Sequence, residues 1–260
     1  VSFSEAHLCN EPKWCECGKP HPLMGPKPTS FQFYLNQNSK TDKCKNWNND
    51  DATIRGYKLY WHQPTKKANS WKNTSVKEGD KLSKYIQPID SGMTFQSRIY
   101  FDNLSDIELG ALLLTLNLDR LELDTAADEK KNISYKLGKG KSIGLGSIKL
   151  NSSLHILDRD KRYNTLFDNN AWQLGEIDIS KDTFINAFLK YRDDILGKNP
   201  SNYDEMCKDL LTMMNWNIAN GEKPIAHWDD AMTMMPVGDK RFKDRIKLDS
   251  PKFFIQKWSK

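Results

Sequence analysis

Residues 102–118 read DNLSDIELGALLLTLNL, and this stretch decides how the chain is built. Ser105 followed three residues later by Glu108 is a capping box, in which each side chain satisfies a backbone donor that the first helical turn leaves orphaned. Leu104 and Leu109 are spaced as a hydrophobic staple across the same start. Leu112, Leu113, Leu114 and Leu116 make the helix apolar almost all round, so it should be buried, and we expect a sheet as its partner.

Strand-like segments precede that helix. SFQFYLNQ (30–37) alternates and is aromatic, which predicts a strand over about 30–36. TIRGYKLYWHQ (53–63) resumes the pattern, with Tyr57, Leu59 and Trp61 on one face and Lys58, Tyr60 and His62 on the other. MTFQSRIYFDNL (93–104) predicts a further strand with Phe95, Ser97, Ile99 and Phe101 on one face. SIKLNSSLHIL (147–157) suggests a closing strand. From about 160 the texture changes. KDTFINAFLKYRDDIL and YDEMCKDLLTMMNWNI have helical periodicity, through Phe184, Phe188, Leu189 and Ile195 in the first and Met206, Leu210, Met213 and Met214 in the second. The expected class is α+β, with a core over 1–160 and a helical extension over 161–260.

Between helix and closing strand lies YKLGKGKSIGLGSIKL (135–150), where Gly138, Gly140, Gly144 and Gly146 are threaded with Lys136, Lys139, Lys141 and Lys149. A phosphate-binding P-loop needs G-x-x-x-x-G-K-[ST]; Gly140-Lys141-Ser142 supplies its end, but Tyr135 stands where the first glycine belongs. A dinucleotide fingerprint fails as well, because the interval after Gly140 is one residue too long and a strand-like segment follows. What remains is a loop without side-chain walls, flanked by ammonium groups. Its peptide amides can approach an extended phosphate chain closely. The charge distribution agrees: the total is a mild +5, yet Lys130 and Lys131 add to this region and a second basic cluster runs from Lys240 to Lys260. Arg55, Lys58, Tyr60 and His62 are candidates for base stacking and phosphate contact on the 53–63 strand.

These residues carry a resemblance. DNLSDIELGALLLTL followed by YKLGKGKSIGLGSIKL resembles the paired signature of CRISPR-associated RAMP proteins, a helix rich in ELGALL and then a glycine-rich loop. GPKPTSFQFYL and TIRGYKLYWHQ look like segments of the family's type III branch, and AHWDDAMTMMP and RFKDRIKLDSPKFFI are most similar to the last RAMP module of the single-chain type III-E effectors. VSFSEAHL resembles the strand that follows a Gly-Arg pair in these proteins; that pair is absent here, so the chain is read as a fragment of a longer polypeptide. The resemblance implies a ferredoxin-like, RNA-recognition-type core, incomplete at its N-terminus, acting as a guide-RNA-binding backbone module. Gly138, Gly140, Gly144 and Gly146 carry over as guide contacts, and Lys136, Lys139 and Lys141 follow on chemical grounds. Implied partners are the CRISPR guide RNA, target single-stranded RNA, other RAMP modules and a caspase-like peptidase. Family members that cut RNA need an aspartate on a loop. Asp50, Asp51, Asp90 and Asp102 are the candidates for that alternative, a catalytic endoribonuclease subunit, whereas the last module implies no catalytic residue.

Cys9, Cys15 and Cys17 form C-x5-C-x-C inside a Pro-rich segment, and thiolates on a loop in need of a staple suggest structural zinc. Cys44 would complete an all-thiolate set; His7 and His21 compete for that place. Cys207 reads as a small core residue. An odd cysteine count without a signal-peptide pattern predicts a reducing, cytoplasmic setting, and no run of apolar residues is long enough to span a membrane.

Overall fold

The computed structural model describes residues 1–20, 31–37, 44–54, 60–62, 71–73, 84–121, 132–168, 171–197 and 201–219. It is a mixed α and β chain with small antiparallel sheets. The strands are β1 (Ser2–Phe3), β2 (His7–Leu8), β3 (Phe95–Gln96), β4 (Ile99–Tyr100), β5 (Tyr135–Lys136), β6 (Ser147–Ile148), β7 (Ile156–Leu157), β8 (Phe167–Asp168), β9 (Ala171–Trp172) and β10 (Glu176–Ile177). The helices are α1 (Phe31–Tyr34), α2 (Asp106–Leu116), α3 (Arg159–Asn164), α4 (Lys181–Leu196), α5 (Ser201–Met214) and α6 (Trp216–Ala219). Two compact units emerge: residues 1–3, 99–127 and 150–205 form the first, and 4–98, 128–149 and 206–260 the second. No helix among the described residues is long and apolar enough to cross a membrane.

In the first unit α2 starts as its sequence dictates. The Ser105 hydroxyl accepts the Glu108 amide at 3.3 Å, and the Glu108 carboxylate accepts the Ser105 amide at 2.9 Å. Those bonds hold the Glu108 carboxyl below its ordinary range. The expected partner sheet is replaced by a helix. Leu109, Gly110, Leu113 and Leu114 are buried, and α2 packs on α4. Gly110 makes this possible, since a Cβ there would sit 2.0 Å from the Phe184 carbonyl oxygen.

At the far end of α2, Asn117 is buried and makes three side-chain hydrogen bonds. Its side-chain amide donates to the Leu113 carbonyl at 2.7 Å. Its Oδ1 accepts from Lys181 Nζ at 2.8 Å and from Ser152 Oγ at 3.0 Å. One residue thus ties the end of α2 to the 152 segment and to the start of α4. On α4 the buried residues are Phe184 and Ile185, while Ile195, expected on the apolar face, is exposed. Residues 156–177, which the helical texture beyond 160 did not announce, pair as β7–β10 and β8–β9 around the short α3.

In the second unit, residues 4–20 run antiparallel to 72–73 and 84–98. Their pairing passes through β2–β3 and then through bridges at Trp14–Ile89, Gly18–Ile86 and Pro20–Lys72. The predicted 93–104 strand is broken into β3 and β4, with Phe95 exposed. The strand expected over 30–36 is a single helical turn, α1, followed by a bridge from Leu35 to Ile54. Along α5, Cys207 is buried as expected, together with Leu211, Met213 and Met214, whereas Met206 is exposed.

Ser105→Ala should lower stability by about 1 kcal/mol. Gly110→Ala should lower it by roughly 1–3 kcal/mol through overpacking, although alanine is the better helix former. Urea denaturation midpoints measure both, and a Gly110→Ala chain more stable than the parent would refute the close α2–α4 approach.

Candidate nucleic-acid interface

The glycine region is a hairpin in the second unit. β5 and β6 pair with Tyr135 opposite Ile148 and Lys136 opposite Ser147. The Leu137 amide donates to the Gly146 carbonyl at 2.8 Å, closing the base of the loop. Lys141–Ile143 make one 3-10 turn, bracketed by Gly140 (φ 76°) and Gly144 (φ 91°) in the left-handed region. Gly138 and Gly146 also have positive φ, 81° and 76°. Gly146 is doubly constrained, because a Cβ would lie 2.0 Å from the Leu137 carbonyl oxygen. Gly138 differs: a Cβ there would meet nothing within 4 Å. The turn around Gly138 and Lys139 is exposed, with φ alternating in sign from Gly138 to Gly140, the backbone pattern that forms concave anion-binding nests.

Among the described residues no carboxylate pairs with Lys136, Lys139, Lys141 or Lys149. Lys136 is half-buried, and its ammonium donates to the Leu145 carbonyl at 3.3 Å. Burial first, and then the like charge of Lys141, bring its pKa down to about 8. Lysine is still protonated at neutral pH, so the fold carries a partly desolvated cation without a carboxylate partner among the described residues.

His62 lies beside the strands. It was expected to offer a face to a base, but its side chain is completely buried, so in this structure it meets protein. Nε2 lies 3.0 Å from the Ser134 carbonyl, which can only accept, and Nδ1 lies 2.8 Å from Ser147 Oγ. Burial foremost, with the nearby Lys136 charge, lowers the His62 pKa to about 4. The ring is therefore neutral, with its proton on Nε2 and its Nδ1 accepting the Ser147 hydroxyl. Trp216 tilts against it at 5.5 Å. Around this ring the Ser134 amide donates to the Met214 carbonyl and the Trp216 amide to the Asn132 carbonyl. Ser134, Ser147 and Trp216 were not expected as partners; separations of 72 to 154 residues leave no local signal for them. Tyr60 is half-buried, and Arg55 and Lys58 lie outside the described residues, as do Lys130, Lys131 and the 240–260 cluster.

The cysteines do not converge. The amides of Cys9, Cys15 and Gly18 donate to Thr94, Pro88 and Ile86 in turn, which spreads the thiols along a ribbon. Among the described residues no three His, Cys, Asp or Glu side chains are gathered to hold a metal ion. The Cys15 thiol is pushed up by burial and by Asp90, 3.8 Å away, which disfavours the thiolate a metal needs. His21 lies outside the described residues. Of the candidate aspartates, Asp51 is paired with Lys45 at 2.7 Å, Asp102 with Arg159 at 3.1 Å, and Asp90 accepts the Ser91 amide at 2.8 Å. Asp50 is exposed.

No protein-family model, curated protein or solved structure matches this chain.

The neutral His62 has a measurable consequence. Between pH 6.5 and about 4 the unfolded chain takes up a proton that the folded chain refuses, so stability falls as pH drops through that window. The loss should approach about 3 kcal/mol at full development. Denaturation at stepped pH, compared with His62→Gln, checks it; an unchanged slope in the variant between pH 6.5 and 5 would contradict the assignment.

Proposed function

We propose that this chain is a guide-RNA-binding backbone module of a type III CRISPR RNA-guided, RNA-targeting effector, belonging to the RAMP family and built on a ferredoxin-like core. The observation that carries the reading is the 135–148 hairpin: a half-buried Lys136 and the neighbouring Lys139 and Lys141 without a carboxylate partner among the described residues. An extended anion supplies what that hairpin lacks. Phosphates along a strand would meet the exposed Gly138–Lys139 backbone and several ammonium groups at once, without reading sequence. A guide held as a backbone requires that kind of contact.

Fluorescence anisotropy with single-stranded RNA over a series of salt concentrations tests it. Affinity should fall steeply with salt, and Lys139→Ala with Lys141→Ala should weaken binding and reduce the slope by about one per lysine. Lys136→Met should separate function from stability, raising the free chain's stability at neutral pH by about 1 kcal/mol while weakening RNA binding. Absent or salt-independent binding would end the RNA reading.

Zinc on Cys9, Cys15, Cys17 and Cys44 belongs to the same proposal, and these thiols must be drawn together for a metal to be held. Metal analysis of freshly purified protein decides it. About one equivalent per chain supports the staple, and a chelator should then lower stability; clearly less metal removes zinc from the proposal.

A further inference from the structure

The first unit carries a second surface whose chemistry is unused. In the β8–β9 pair Phe167 stands opposite Trp172, so the two rings share one face. Their centroids are 4.5 Å apart at 40°. Yet Phe167 is 61% exposed and Trp172 64%, and Tyr163 at the end of α3 is 68% exposed. Rings of this size ordinarily contribute a large part of the burial energy of a core. Here the pair is held in the open by its own ladder, extended by the Gln173 amide donating to the Leu166 carbonyl at 3.0 Å.

Cations precede the hairpin in the chain. The last turn of α3 carries Lys161 and Arg162, which have no carboxylate partner among the described residues. Of the acids here, the Asp158 side chain caps α3 by accepting the Lys161 amide at 3.0 Å, Asp102 holds Arg159, and Asp160 lies in the first turn of α3. Gly175 fastens α3 to the strand leaving the hairpin. The Asp158 amide donates to its carbonyl at 2.8 Å, and a Cβ at Gly175 would fall 2.6 Å from the Arg162 Cβ. Asp168 alternates to the face opposite Phe167.

We propose that the β8–β9 hairpin is a stacking platform for unpaired bases of a single-stranded RNA, with Phe167 and Trp172 receiving the bases and Lys161 and Arg162 the adjoining phosphates. An apolar protein partner would use the rings alone. A duplex hides its base faces in its own stack. An unpaired polyanionic strand presents both a π-face and a charge at each nucleotide, which is what this surface is built to receive. The platform is independent of the glycine hairpin and does not require it.

Binding of labelled oligouridylate and of an abasic strand of equal length, with the full chain, tests the assignment. Trp172→Ala should weaken oligouridylate binding about tenfold, leave the abasic strand unaffected and leave the salt slope unchanged. Trp172→Phe should retain most of the affinity, and Trp172→Leu should lose it as alanine does. Trp172 is exposed, so circular dichroism should show unchanged folding in all three variants. Affinity restored by leucine, equal loss on the abasic strand, or variants within about twofold of the parent would overturn the platform. Trp172-dependent self-association without an RNA effect would also overturn it, making the face a contact between copies. Loss of the salt response in the Lys139/Lys141 variant with an intact Trp172 effect, or the reverse, tells the two proposals apart.

Discussion

Two-residue strand pairs cannot hold a chain together, and every sheet described here is that short. A ladder of this length contributes few hydrogen bonds against the entropy of ordering the loops that feed it. The long-range joints are instead buried polar side chains. Asn117 in the first unit joins segments around 113, 152 and 181. His62 in the second joins Ser134 and Ser147 from opposite strands of the glycine hairpin. In both, the side-chain nitrogen and oxygen atoms have named partners. A satisfied buried network of this kind fixes one arrangement, because losing any member leaves a costly orphan.

What the sequence disclosed follows from this economy. The Ser105–Glu108 capping box is a local device, written in four consecutive residues and realised atom for atom. The 181–196 helix has a clear period, and Phe184 is buried as expected; Ile185 is buried as well, while Ile195 near the helix end is exposed. Alternation misled where an element was only one turn long. Phe31, Phe33 and Leu35 alternate as a strand would, yet 31–34 is a helical turn. The Phe95–Phe101 run was read as one strand because alternation does not report where pairing stops. At the site, the four glycines were legible as glycines, and their left-handed φ values explain them. The inward turn of His62 was not, since its partners lie 72 and 85 residues further on.

Charge compensation is uneven over the described surface. Lys45 meets Asp51, Lys72 meets Glu16, Arg159 meets Asp102 and Arg192 meets Asp193, all within 3.1 Å. Exposed pairs of this sort add little stability. They do show where the fold places an acid beside a base. No described carboxylate pairs with Lys136, Lys139 or Lys141, and there the backbone is also stripped of Cβ atoms and turned through positive φ. Repulsion from Lys141 and desolvation both oppose the Lys136 charge. A surface tuned for stability alone would have replaced one of these residues.

As proposed, the glycine hairpin and the aromatic hairpin would address different parts of an RNA strand's chemistry, each by itself. One offers amides and ammonium groups, whose attraction reaches outward but is weakened by every added ion. The other offers ring faces that attract at contact distance and are nearly indifferent to salt. Neither contact reads sequence, as the proposed role of a guide-RNA module requires.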